Sequence, residues 1–367
     1  MVPFLDLTAG VQEIRDELDH AYHRFMDSGH YVLGEEVAAF EIEYAAFCEA
    51  RHCVGVGSGL DALTLALRSL DVGVGDEVIV PSNTYIATWL AVTAVGATII
   101  PVEPDPSTFN ITGAAVETAI SSSTKVVLAV NLYGQPVNYD ELLGLTRHHG
   151  VSLVIDNAQA QGARFQGRPV GGIADIECHS FYPTKNLGAF GEAGAITTNC
   201  DQVAAMVRLL RNYGSEKRYY NQIQGVNSRL DTLQAAFLRV RLKYLDQWNA
   251  RRREIASKYN EALSRLPSLT VPRVPEWAEP VWHLYVVKVK DRDDFRTRLS
   301  AAGIGTEVHY PIPPHTSGAY SKSSLSHLNL SEAEKLAGTI LSLPLWPQMT
   351  SPMIENVIDA IDINVHA

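Results

Sequence analysis

The chain is short of basic residues, of paired cysteines and of long apolar runs, and each shortage excludes something. Lys and Arg number 30 against 41 Asp and Glu, giving a formal net charge of −11. That balance argues against a surface that embraces nucleic acid, and an anionic substrate would need a local basic cluster. The four cysteines, Cys48, Cys53, Cys178 and Cys200, form no CxxC pair and have no histidine cluster at metal-ligand spacing. They read as free thiols in a reducing cytoplasm, with no metal expected. The most apolar stretch, Ala87 to Val102, contains Thr and Gly and is too short to cross a bilayer. Early charges at Asp6, Glu13, Arg15 and Asp16 leave no signal-peptide core. There is no low-complexity segment and no internal repeat.

What remains is 367 residues, 46% hydrophobic and 19% charged, a globular balance. That length exceeds one simple core and predicts a large domain over residues 1–245 and a smaller one over 246–367. Between about residue 36 and 200 the pattern alternates. Leu60, Leu63, Leu67 and Leu70 recur at helical spacing, and β-branched runs follow at Glu77–Val80, Ala97–Val102, Lys125–Val130 and Val151–Ile155. These predict buried strands of a mostly parallel sheet with helices on both faces. Thr232 to Leu263 contains no Pro or Gly and carries Leu233, Phe237, Val240, Tyr244 and Trp248 on one stripe, predicting a single long helix. Further on, strands are predicted at Val281–Val287 and Thr306–His309, with a helix near Asp293–Ala302, together an α+β unit.

The chemistry concentrates in two places. Asp156 closes the apolar run that starts at Val151. Lys185 lies downstream in Ser180-Phe-Tyr-Pro-Thr-Lys-Asn-Leu-Gly188, an apolar, rigid setting that desolvates an amine. A carboxylate at a strand end with such a lysine suits a pyridoxal phosphate site. The lysine would form the Schiff base, and Asp156 would keep the pyridine nitrogen protonated. Gly55-Val-Gly57-Ser58-Gly59-Leu60-Asp61 opens a helix and is not a dinucleotide fingerprint. Its glycines and free N–H groups suit a phosphate, while Ser58 with Asp61 also reads as an ordinary capping box. Ala158 is small enough to lie beneath a ring, Gln159 is placed to meet a ring oxygen, Tyr85 to stack on the other face, and Ser180 to reach the phosphate. Taken alone, each of these side chains reads equally well as a cap, a loop residue or a solvated charge.

Several stretches together resemble the DegT/DnrJ/StrS family of sugar aminotransferases. They are Gly57–Leu63, Pro81–Thr88, Leu132–Pro136, Asp156–Gln159, Ser180–Gly188, Asn227–Ala235, His309–His315 and Leu341–Leu345. The resemblance implies the aspartate aminotransferase fold, pyridoxal 5′-phosphate-dependent fold type I, in a homodimer with shared active sites. It also implies Lys185 as the Schiff-base lysine and Asn227 as a phosphate contact reaching in from the partner subunit. Two departures stand out: Asn131 replaces a common His before Leu-Tyr-Gly, which is expected to alter the substrate pocket, and Gly191-Glu-Ala-Gly194 replaces a common Gly-Asp-Gly-Gly.

Within the family, the chain looks most like enzymes that use L-glutamate to aminate C3 of dTDP-linked 3-keto-6-deoxyhexoses. Lys217 and Arg218 are candidates for the diphosphate, and Tyr182, His309 and His315 for the sugar. Arg251-Arg-Arg253 reads as a solvated helix face. The rival readings are amination at sugar C4 or of an aminocyclitol ketone, sugar dehydration (which Lys185 disfavours), and a cofactor-binding regulator without turnover.

Overall fold

A computed structural model describes residues 1–365. Its centre is a seven-stranded sheet. In chain order the strands are β1 (His52–Val56), β2 (Glu77–Pro81), β3 (Thr98–Val102), β4 (Thr124–Val130), β5 (Ser152–Asp156), β6 (Ile176–Ser180) and β7 (Gly194–Thr198). Their spatial order is β1-β7-β6-β5-β4-β2-β3. Only β7 runs against its neighbours, pairing antiparallel with both β1 and β6. The remaining pairs are parallel.

Side-chain alternation builds a core on each face. Val78, Val80, Val126, Leu128 and Val154 share one cluster with Leu63, Leu67, Trp89 and Val92 of the helices α1 (Gly59–Ser69) and α2 (Ile86–Val95). Ile79, Val127, Leu153 and Ile155 point the other way, against Val116, Tyr139 and Leu142.

The strand β6 is not an apolar run, because Glu177 and His179 sit fully buried in it. Glu177 is satisfied by backbone N–H groups of Gly171 at 2.7 Å, Ile173 at 2.8 Å and Ala174 at 3.0 Å, and by the Tyr139 hydroxyl at 3.0 Å. Glu177→Ala strands those donors in the interior. It is expected to cost about 3 kcal/mol or more, read as a lowered denaturant midpoint at unchanged slope. Asn131 belongs to the same network. It is fully buried, donates to Tyr139 Oη at 2.9 Å and accepts the Val137 N–H at 2.7 Å. The expectation that it shapes the substrate pocket is therefore corrected: with no exposed surface it only braces the core.

The predicted long helix is two helices, α3 (Thr232–Leu242) and α4 (Leu245–Leu263). The break falls at Lys243 and Tyr244, and both side chains are tied to Glu17. No Pro or Gly marks this break, since tertiary contacts make it. The buried face of α4, with Ile255, Tyr259 and Leu263, joins Phe295, Leu299, Leu341 and Val357 in one cluster, which also takes in Val130 and Leu132. There a three-stranded antiparallel sheet forms from β8 (Leu269–Thr270), β9 (Tyr285–Val289) and β10 (Ile340–Leu343). The strand predicted at Thr306–His309 reduces to one bridge, Glu307 to Ser342. Arg252, expected on a solvated face, is buried and donates to the carbonyls of Trp282 and Leu345 at 3.1 Å each.

Candidate active site

The parallel strands deliver the site residues to one edge. Asp156 ends β5, Ser180 ends β6, Gly57 follows β1, and Tyr85 caps the helix after β2. Register holds them level, with Ser180 and Val56 both opposite Gly194. The crevice outside the carboxyl ends of such strands is where this kind of sheet binds ligands.

At the first turn of α1, Ser58 Oγ accepts the Asp61 N–H at 3.1 Å, which is the N-cap half of the expected capping box, while the Asp61 carboxylate turns to Ser228 instead. The N–H groups of Gly59 and Leu60 still lack an intrahelical partner there. A Cβ on Gly59 would meet Ser180 Cβ at 2.6 Å, and one on Gly194 would meet the Ser58 carbonyl at 2.4 Å. Only glycine lets the helix start lie this close to the Ser180 hydroxyl. Donors on two sides of one narrow seat suit a phosphate. Gly57 is held by its N–H to Ser228 Oγ at 3.0 Å, and that hydroxyl donates to Asp61 at 2.8 Å. The neighbouring Asn227 is exposed.

Asp156 is buried, and its carboxylate accepts from the Ala158 N–H at 3.0 Å and the Thr88 hydroxyl at 3.1 Å. Burial raises its pKa, and the Ala158 N–H, Lys185 and Thr88 oppose that rise. Lys185 is half-buried. Desolvation brings its amine down to about 8, with the nearby Asp156 charge pulling the other way. The two groups thus feel each other across one site. Burial, aided by Lys185, also pushes His309 down to about 4, so its imidazole is neutral. These features fit pyridoxal phosphate: a phosphate seat, a buried carboxylate for a ring nitrogen and a desolvated amine.

Other candidates are placed as follows. Gln159 is engaged at both ends, accepting the Tyr133 N–H at 2.6 Å and donating to the Tyr310 hydroxyl at 3.0 Å, which leaves one amide N–H free. Tyr85 is exposed, with its ring 5.1 Å from that of Tyr310. Tyr182 is exposed beside the lysine loop, its carbonyl accepting the Lys185 N–H at 2.8 Å. His309 meets Ser342 Oγ at 2.9 Å. Lys217 and Arg218 lie on an exposed hairpin against Tyr220 and Tyr219 and touch none of these residues. His315 has no exposed surface, and its Nε2 meets Glu334 at 3.1 Å, so it does not line a sugar pocket. Thr88, Ser228 and Tyr310 hold the site together but were given no role from sequence. All three lie inside the motif stretches above, which was their only signal.

The DegT/DnrJ/EryC1/StrS aminotransferase family matches residues 12–362. A dTDP-3-amino-3,4,6-trideoxy-alpha-D-glucose transaminase of Streptomyces venezuelae is 49% identical, over 98% of this chain and 95% of that protein. The erythromycin biosynthesis sensory transduction protein EryC1 of Saccharopolyspora erythraea is 48% identical, over 97% of this chain and 98% of its own. The crystal structure of S. venezuelae DesV in complex with a ketimine intermediate superposes with a TM-score of 0.98 at 48% identity, covering 100% of this chain and 99% of that one.

Proposed function

The chain belongs to the DegT/DnrJ/EryC1/StrS aminotransferase family, and from that membership we propose that it moves the amino group of L-glutamate to C3 of a dTDP-linked 3-keto-6-deoxyhexose. The observation that carries this reading is the coupling of the Lys185 amine to the buried Asp156 carboxylate at the carboxyl end of β5, in a chain so similar to a dTDP-3-amino-sugar transaminase.

Pyridoxal phosphate, when bound, supplies a carbonyl for the lysine and an electron sink for the carbon that loses its proton. Ser58, Gly59, Leu60 and Ser180 would hold its phosphate, with Gly57, its N–H taken by Ser228 Oγ, shaping the turn into the seat. Asp156 would keep the proton on the ring nitrogen, Ala158 and Tyr85 would border the ring, and Gln159 would offer its free N–H to the ring oxygen. Lys185 would form the covalent link to the cofactor, and its Nζ, once free, would accept and return the proton that leaves the Cα of glutamate. The same Nζ would move a proton in the opposite sense for the ketosugar. Tyr182 and His309 border the sugar, and the exposed Lys217 and Arg218 are available to the diphosphate. The protein acts as a homodimer in the cytoplasm, and the exposed Asn227 is available to a partner subunit. Among the described residues no helix is long and apolar enough to cross a membrane.

The test is an assay of purified protein with pyridoxal phosphate, L-glutamate and a set of dTDP- and UDP-linked 3-keto and 4-keto sugars, with products read by mass spectrometry. The expected result is 2-oxoglutarate with an amine at C3 of a dTDP-sugar. Amination at C4 alone would overturn the regiochemistry. Bound cofactor with no amine transfer to any sugar would favour a regulator, in line with the sensory name that one relative carries.

A further inference from the structure

We propose that Arg241 seats the side-chain carboxylate of the amino donor, making it the residue that selects a dicarboxylic amino acid. The proposal rests on the reading above that glutamate is that donor.

Arg241 lies near the end of α3 and is only 8% exposed. Its Nε is buried without a hydrogen-bond partner. The guanidinium lies over two aromatic rings, 5.5 Å from Phe190 and 5.4 Å from Trp248. The other buried arginines among the described residues all have acceptors: Arg211 pairs with Glu41, Arg252 donates to carbonyls, and Arg292 pairs with Asp293. Arg241 alone has none.

Its surroundings are cationic. One small cavity is lined by Arg241, Arg252 and Lys185, together with Thr184, Asn186 and Trp346. The acid on that cavity, Asp6, keeps its charge but turns it to the Thr8 N–H at 2.8 Å and the Thr8 hydroxyl at 2.5 Å, and it makes no bond to Arg241. Burial lowers Arg241 to about 10, which leaves it charged at neutral pH. A buried cation that no acceptor contacts directly is costly, and a site that keeps one suits an incoming anion. The fork of a guanidinium matches a carboxylate. The confined space, walled by tryptophan, suits that group better than a nucleotide diphosphate. Arg241, from α3, and Lys185, from the loop after β6, line the same cavity, so a carboxylate held by Arg241 lies in the same space as the reacting amine.

The probe is glutarate, a dicarboxylate that cannot react, titrated calorimetrically into the holoenzyme and into Arg241→Met and Arg241→Lys. Arg241→Met is expected to weaken glutarate by about 100-fold, the scale of losing a buried charge partner, and Arg241→Lys by less. In the half-reaction, read from the cofactor's absorbance, the ratio of kcat/KM for L-glutamate over L-glutamine should fall by a similar factor in Arg241→Met. Unchanged glutarate affinity in both folded variants overturns the proposal. So does an unchanged donor ratio. Loss of the dimer with glutarate binding intact would assign Arg241 to an acid on a second copy instead. If the wild type uses glutamate while the variants behave like it, this proposal alone falls. If the wild type neither binds glutarate nor accepts an amine from glutamate, the donor reading falls with it.

Discussion

Lys185→Ala is expected to lower kcat for amino-group transfer by at least about 10⁴-fold, the upper range for losing a positioned acid–base group, with the nucleophile lost besides. The variant should still fold, because Lys185 is half-buried in a loop whose backbone is fixed by its N–H to the Tyr182 carbonyl and by the buried Asn186 and Leu187. It should also still hold pyridoxal phosphate non-covalently, since the seat at Gly59 and Ser180 is untouched. Single-turnover rates and cofactor content, measured on the same preparation, separate the two effects. Turnover within about tenfold of wild type would remove Lys185 from the mechanism. The wild-type apoprotein gives a pH signature as well. Only the neutral amine attacks a carbonyl, and burial brings this amine to about 8. Covalent capture of pyridoxal phosphate should therefore speed up as pH rises through about 8 and then level off. A rate still climbing near the ordinary lysine value would mean the amine is not desolvated.

Why Lys185 and Asp156 were legible from sequence, while Arg241 was not, comes down to where the deciding contacts originate. Asp156 and Lys185 carry their context locally: one ends a β-branched run, the other sits among Phe, Tyr, Pro and Leu neighbours. The strands β2 to β5 were legible for the same reason. By contrast, β6 places Glu177 and His179 in the core, where polar groups outside the strand satisfy them. Glu177 takes the 171–174 turn, and His179 lies between Tyr44 Oη at 3.0 Å and Thr197 Oγ1 at 2.8 Å. Apolar periodicity does not reveal such a strand. Arg241 reads as a charged helix position, and only Phe190 and Trp248, arriving from other elements, bury it. His315 failed in the opposite direction. A Pro-rich turn with two histidines suggested a pocket, yet the turn packs inward and closes His315 off. The break between α3 and α4 has no local signal either, because Glu17, far away in sequence, secures it.

Asp156→Asn is expected to cut kcat by about 10³-fold, the scale of removing a preorganised electrostatic partner from a water-excluded site, while leaving the apoprotein at least as stable as wild type. The asparagine is nearly isosteric. Its carbonyl can keep the Ala158 N–H and its amide can donate to Thr88 Oγ1, so neither neighbour is stranded. What disappears is the negative charge that would keep a ring nitrogen protonated. The stability effect follows from the direction of the pKa shift. Burial raises Asp156 above its ordinary 3.8, so the folded protein holds that proton more tightly than the unfolded chain does. The linked stability is fully present below about 3.8 and is lost as pH rises through the folded-state value. Above that value the wild type bears the whole cost of a buried carboxylate, and the asparagine variant bears none. The Tm difference between variant and wild-type apoprotein should therefore move in the variant's favour from acid to neutral pH. A stable variant with little activity would identify Asp156 as a charge kept for chemistry at the expense of the fold. A variant that melts well below wild type at neutral pH would instead make the carboxylate a structural anchor for Ala158 and Thr88, and its loss of activity would then say nothing about the ring nitrogen.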